Sequence, residues 1–259
     1  YNERENIVPL VNALQHQFTL MWHELHILFV DDNSPDGTAA LVRQEMQRYA
    51  NVHLLTGDKR GLGAAYIRGM SYALEKLRAE AIVEMDADFS HSPDDLPRLY
   101  NACKTEGADL AIGSRYVKGG GLVNWPRNRI ALSKGASLYT RMITWMPVKD
   151  PTAGFMCYRK EVLETINLDR IRFVGYAFQI EMKYATWKLG FKIKEVPIIF
   201  RDRTYGTSKM NKGIVKEGIL GVLKLRWHSL FKNYRKRVKN SDTTKASAKT
   251  VKSGEALAK

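Results

Sequence analysis

Three short apolar runs separated by stretches with helical spacing limit the folds open to this chain more than any other feature. Residues 26–30 run into Asp31-Asp32, residues 52–55 form a second run, and Ala81-Ile82-Val83 leads into Glu84-Met85-Asp86-Ala87-Asp88. Helical spacing precedes the first run at Ile7, Leu10, Val11 and Leu14, and follows it at Ala40, Leu41 and Met46. Gly61-Leu62-Gly63-Ala64-Ala65 then opens a helix that continues to Leu77. Apolar strands alternating with helices of about 10 to 15 residues predict a mostly parallel sheet with helices on both faces, an α/β architecture. In such sheets ligands bind outside the carboxyl ends of the strands, where both aspartate pairs fall.

The second half is less regular. Residues 108–113 read as a strand, Gly119-Gly120-Gly121 as a flexible loop and residues 128–145 as a helix. Asp150-Pro151-Thr152-Ala153-Gly154-Phe155 looks like a turn into a short strand, residues 176–189 a helix, and residues 192–200 a strand interrupted at Pro197. The last helix, 214–231, carries Ile219, Leu220, Leu223, Trp227 and Phe231 on one face and basic residues elsewhere, an amphipathic pattern.

At 259 residues and 44% hydrophobic, the chain can bury a sizeable core. Its two cysteines lack the partners of a disulfide framework or a zinc site, which points to a reducing compartment. The longest uncharged window, residues 6–23, contains Asn12, Gln15, His16 and Gln17 and so reads as an amphipathic helix and not a membrane span. No basic and apolar leader precedes it, and Tyr1 in place of a methionine predicts a few missing leading residues. Half of the +14 net charge lies from Lys232 onward, where nine basic residues face two acidic ones. Such a tail suits an anionic membrane surface, nucleic acid or plain solvation. Nucleic acid is set aside as a partner, because acids at strand ends repel phosphates unless a metal intervenes.

Asp86 and Asp88, flanking one small residue at a strand end, suit a hard divalent cation that keeps positions open for substrate phosphates. Around them runs an ordered series: Tyr1-Asn2-Glu3-Arg4-Glu5-Asn6, Val30-Asp31-Asp32-Asn33-Ser34-Pro35-Asp36-Gly37-Thr38, Gly61-Leu62-Gly63, Asp86-Ala87-Asp88-Phe89-Ser90-His91, Gly113-Ser114-Arg115-Tyr116, the 150–155 turn, Gln179-Ile180-Glu181 and Arg203-Thr204-Tyr205-Gly206-Thr207-Ser208-Lys209-Met210. Over roughly residues 1–210 the chain resembles family 2 glycosyltransferases of the GT-A type, and within them the dolichyl-phosphate (polyprenol-phosphate) mannose synthases. The resemblance implies a catalytic domain over 1–210, an amphipathic, membrane-interfacial segment over 211–239 and a basic tail over 240–259.

It also implies roles. Tyr1, Glu3 and Asp32 contact the guanine nucleoside of GDP-mannose, Val30 lines the base pocket and Ala87 touches the ribose. Asp86 and Asp88 hold Mg2+ or Mn2+ against the diphosphate, with Ser90 where some relatives carry a metal-contacting Gln. Arg203 and Lys209 belong to a loop that folds over the sugar nucleotide and neutralises the leaving diphosphate. Arg115, Arg129 and Ser133 hold the lipid phosphate, and Arg115 also faces the nucleotide sugar. Asp88, Asp150, Arg203 and Lys209 form the catalytic set, with Asp150 a base or an organiser of the acceptor site. His91 reads better as a hydrogen-bonding support than as a base, and Gly61 and Gly63 better as tight packing than as a phosphate cradle.

The implied reaction is inverting transfer of mannose from GDP-mannose to a polyprenyl monophosphate. UDP-glucose as donor, or a hydroxyl acceptor on a polysaccharide, are the alternatives, and only the latter requires a strong carboxylate base. A long lipid acceptor implies work at a bilayer, peripherally at the cytoplasmic face, through residues 132–145, residues 214–231 and the basic tail, or with a membrane-anchoring protein.

Overall fold

The structure is a computed structural model that describes residues 1–21, 23–171, 173, 175, 177–202 and 212–236, the side chains of 212–217 excepted. The alternation read from the first third is present in order. Helix α1 (Arg4–Met21) precedes strand β1 (Ile27–Asp31), α2 (Thr38–Arg48), β2 (Val52–Thr56), α3 (Leu62–Glu75) and β3 (Ala81–Glu84). Helix α4 (Leu96–Lys104) follows, then β4 (Leu110–Ser114), β5 (Gly121–Val123), α5 (Arg127–Thr144), β6 (Met156–Arg159) and α6 (Lys160–Thr165). The chain continues through α7 (Ala177–Lys188), β7 (Ile193–Pro197), β8 (Ile199–Arg201) and α8 (Lys212–Ser229).

Parallel pairing joins β1 to β2, β4 to β7 and β5 to β8. The exception is β6, which inserts between β3 and β4 antiparallel to both. β3, β6, β4 and β7 form a mixed four-stranded sheet, and β1–β2 and β5–β8 two-stranded parallel sheets, so parallel pairing predominates as expected. An antiparallel strand needs no crossover helix, so the short 150–155 turn can feed β6 straight into the sheet centre. Gly121, read as loop, starts β5, and the strand expected to break at Pro197 splits into β7 and β8.

Burial alternates along the central strands. Leu110 and Ile112 of β4 and Met156 and Tyr158 of β6 enter one apolar cluster, with α7 residues Phe178, Ile180, Met182 and Tyr184. Ala111, Phe155 and Cys157 point the other way, into a cluster with Ile7, Leu10 and Val11 of α1 and Leu96 and Leu99 of α4. The sheet is therefore covered on both faces, and the period-two alternation of an uninterrupted apolar run explains how one strand feeds both. Helix α7 is buried from Ala177 to Thr186 on every side, although it carries Gln179, Glu181 and Lys183.

Candidate active site

The site is built where β1, β3 and β4 end. After β3, Phe89 adopts a left-handed φ of 59°, uncommon for a bulky residue, and this folds the loop back so that the Ser90 N–H donates to Asp88 Oδ1 at 3.0 Å. Asp88, Ser90 and His91 are buried, while Asp86 is partly open. Asp86 Oδ1 accepts the Tyr66 hydroxyl at 3.2 Å, and its N–H donates to His91 Nδ1 at 3.2 Å. An accepting Nδ1 belongs to an imidazole with its proton on Nε2, and burial lowers the His91 pKa against the pull of Asp86 and Asp88. His91 stacks on Phe155 and meets the edge of Phe200, which agrees with its support role.

Among the described residues no cluster of three or more His, Cys, Asp or Glu side chains could enclose a metal ion. Ser90 supplies the decisive detail: its Oγ is buried with no hydrogen-bond partner among the described residues, two positions from Asp88. An orphaned hydroxyl beside two carboxylates is what an oxygen-ligand site leaves when its ion is absent, so the residues fit a hard divalent cation.

Of the nucleotide residues of the sequence reading, Tyr1 and Glu3 are brought to the loop after β1 that carries Asp32, and Ala87 packs partly buried against the cluster of α1 and α4. Asn2 N–H donates to Ser34 Oγ, Glu3 N–H to Thr38 Oγ1 and Arg4 N–H to Asp36 Oδ2, which laces the N-terminus to the loop after β1. Tyr1 is exposed beneath the Lys59 ammonium, 3.7 Å from its ring centre. Glu3 accepts from Asn6 Nδ2 at 2.8 Å, which ties its carboxylate to the first turn of α1. Asp31 is a turn former, accepting from the Ser34 N–H and hydroxyl. Asp32 instead pairs with Arg68 at 2.6 Å, a partner the sequence did not suggest. Val30 packs so tightly on α3 that a Cβ at Gly69 would lie 2.8 Å from it, and Gly63 likewise abuts the Phe173 carbonyl and Phe178 ring, the packing role expected of it.

The cations lie across Phe200 from the carboxylates. Arg115 is held by Asp150 through its N–H at 2.9 Å, Nε at 2.7 Å and a terminal nitrogen at 2.6 Å, and by Thr152 Oγ1 at 2.8 Å. Burial pushes the Asp150 carboxyl up, but the Arg115 hydrogen bonds and charge outweigh it and hold the pKa below the ordinary carboxylate value. Asp150 is thus an ionised counter-charge to Arg115. Glu195 of β7 fixes its backbone, accepting from the Asp150 N–H, the Lys149 N–H and the Ser114 hydroxyl. Trp125 lies between the two arginines, with the Arg129 guanidinium 3.7 Å above its ring and that of Arg115 at 5.9 Å. Arg129 also pairs with Asp202 at 3.2 Å, and Ser133 accepts the Tyr116 hydroxyl at 2.6 Å. Arg115, Arg129 and Ser133 therefore share one patch. The turn joins the two halves of the site, since a Cβ at Gly154 would sit 3.6 Å from His91 Cε1 and 4.0 Å from Asp86 Oδ2. Arg203 and Lys209 lie outside the described residues.

Comparison with known proteins gives the family. The profile described as Glycosyl transferase family 2 matches residues 1–166. The chain belongs to that family. As a glycosyltransferase it is 44% identical over 224 residues to polyprenol monophosphomannose synthase of Mycolicibacterium smegmatis, covering 86% of this chain and 82% of that protein. It is 43% identical to undecaprenyl-phosphate mannosyltransferase of Micrococcus luteus, covering 89% and 94%. Among solved structures, glucosyl-3-phosphoglycerate synthase of Mycobacterium tuberculosis, in complex with Mn2+, uridine diphosphate and phosphoglyceric acid, matches with a TM-score of 0.64 at 16% identity, covering 87% of this chain and 75% of that one. At that identity the likeness establishes the shared glycosyltransferase fold.

Proposed function

We propose that this glycosyltransferase moves mannose from GDP-mannose to a polyprenyl monophosphate, inverting the anomeric carbon to give a β-linked lipid phosphosugar. The observation that carries this reading is the acceptor patch: Arg115, locked by Asp150 and Thr152, stands with Arg129 and Ser133 around Trp125 and Tyr116, across Phe200 from the carboxylate loop. A monophosphate suits two guanidinium groups and a hydroxyl, and being anionic already it needs no base. Asp150 accordingly orients Arg115 instead of taking a proton. The names of the relatives at 43–44% identity support the same sugar and acceptor class.

In this reading Tyr1, Glu3, Val30, Asp32 and Ala87 bind the guanosine end of the donor, with Arg68 fixing the Asp32 carboxylate. Asp86 and Asp88, with Ser90 beside them, hold Mg2+ or Mn2+, which when bound neutralises charge on the departing diphosphate. Arg203 and Lys209 supply further cations to the departing diphosphate. Tyr66 fixes Asp86, and His91 holds the carboxylate loop by its backbone. Holding two anions in line between these cations lowers the barrier chiefly by positioning.

Among the described residues no helix is long and apolar enough to cross a membrane. Leu132, Leu138, Met142 and Trp145 of α5 and its cap are exposed, as are Ile219, Leu220, Leu223, Trp227 and Phe231 of α8 and its C-terminal end. The two helices touch, with Tyr139 donating to the Ile219 carbonyl and Arg226 beside the Trp145 ring, so the apolar residues form one face. This face is the surface by which the enzyme lies on the cytoplasmic side of the bilayer that carries its acceptor.

Incubation with GDP-mannose, polyprenyl phosphate in detergent and Mg2+ or Mn2+ tests the reaction. The expected product is a mannosyl lipid phosphate with a β linkage. Transfer to a polysaccharide hydroxyl with no lipid product would overturn the acceptor.

A further inference from the structure

Helix α7 is surrounded by the core, yet Lys183, at its centre, is fully buried. A buried ammonium is costly unless its protons are engaged and its charge is met, and a buried charge set replaced whole by well-packed apolar residues often loses no stability. Lys183 therefore marks a place where something other than folding decides the residue.

Its contacts show what. Nζ donates to the Ala153 carbonyl at 2.6 Å and to the Gln179 carbonyl, one turn back on its own helix, at 3.2 Å. Ala153 is the next residue after Thr152 in the turn where Asp150 and Thr152 grip Arg115. One residue later, Gly154 abuts His91 and the Asp86 carboxylate. The ammonium is thus the anchor from below of the same turn whose upper side holds the acceptor-patch arginine.

Electrostatics adds to the geometry. Burial pulls the Lys183 ammonium down to about 8, while Glu84, Asp150 and Glu195 pull it up and Arg115 opposes them. Burial likewise pushes the Glu84 carboxyl up to about 8, against the charge of Lys183 and a hydrogen bond with Gln179. Lys183 thus meets these acids beneath the site at a point that solvent does not reach.

We propose that Lys183 is a positioning residue for the acceptor phosphate, acting through the Ala153 carbonyl on the Asp150–Thr152 grip that sets the Arg115 guanidinium. The inference rests on the polyprenyl phosphate reading of the Arg115 patch. It assigns work to α7, which contributes no group to either substrate in that reading.

The test is steady-state mannosyl transfer by wild type, Lys183→Met and Lys183→Gln, with donor and acceptor varied separately and thermal unfolding followed in parallel. Wild-type turnover tests the reading itself, while only the ratios between variants test the role of Lys183. Lys183→Met removes one member of a buried charge set and should lower Tm while the variant still folds, show a KM for polyprenyl phosphate raised about tenfold or more with lower kcat, and keep the KM for GDP-mannose within about twofold. Lys183→Gln retains an N–H donor and should recover part of the loss. Unaltered acceptor kinetics in Lys183→Met, an equal rise in both KM values, or failure of both variants to fold would each overturn the proposal, the last by placing the ammonium in stability alone.

Discussion

At the residue scale the site rests on pairs that sequence spacing conceals. Asp150 is followed by proline in a turn, and locally a capping aspartate explains it; only the fold brings Arg115, 35 positions earlier, onto its carboxylate. Asp86 and Asp88 were legible because the apolar run before them announces a strand end, whereas Tyr66, Arg68, Glu195 and Lys183 each sit in ordinary contexts and act through long-range contacts. The Asp150 pair supports a sharp prediction. Asp150→Asn leaves a buried guanidinium without its counter-charge and should cost about 3 kcal/mol or more in unfolding free energy, as removal of one partner of a buried pair does. The pKa of Asp150 is depressed in the folded state, so its stabilisation is present above the ordinary carboxylate value and is lost as pH falls through the lower folded value. Urea unfolding at pH 7 and pH 3 should therefore show the gap between wild type and Asp150→Asn narrowing in acid; a constant gap would contradict the ionised pair. In transfer assays the same variant should lose affinity for the lipid phosphate but keep residual turnover, whereas complete loss with unaltered acceptor KM would restore the base role. Asp86→Asn and Asp88→Asn should each lower kcat by about a hundredfold or more and weaken Mn2+ binding followed by electron paramagnetic resonance.

At the element scale, the β–α alternation of the first third was readable because each strand is a short apolar run and each helix has its own apolar stripe. The antiparallel entry of β6 was not, since Met156-Cys157-Tyr158 looks the same in either direction and only pairing with β3 and β4 fixes its sense. Helix α4, where the sequence reading assigns no element, buries Leu96, Leu99, Ala102 and Cys103 at helical spacing, a short pattern masked by the opening Pro-Asp-Asp and the early Pro97. The amphipathic face of α8 was foreseen, and its pairing with exposed residues of α5 makes it wider than either helix alone. Trp227→Ser with Phe231→Ser should weaken sedimentation with anionic vesicles about tenfold or more, at two exposed aromatics lost, while turnover on detergent-dispersed acceptor stays within about twofold. Equal vesicle binding by the double variant would show that this face is not the membrane contact.

At the scale of the whole molecule, two apolar clusters lie on either side of the four-stranded mixed sheet, and the proposed function divides the strand ends into a donor half and an acceptor half. The donor half follows from β1 and β3, the acceptor half from β4, α5 and the turn before β6, and His91 with Phe200 stands where they meet. This division predicts that donor and acceptor defects separate by mutation: Arg129→Ala should raise the KM for lipid phosphate and spare that for the nucleotide sugar, and Arg68→Ala should do the reverse, as read from two-substrate kinetics. The central claim is tested most directly by GDP release from GDP-mannose, with UDP-glucose run in parallel, in the presence and absence of polyprenyl phosphate and of Mg2+ or Mn2+. Release of GDP that requires both the lipid phosphate and the cation, with UDP-glucose inert, is the predicted result; turnover of UDP-glucose in place of GDP-mannose, or release indifferent to the lipid phosphate, would contradict it.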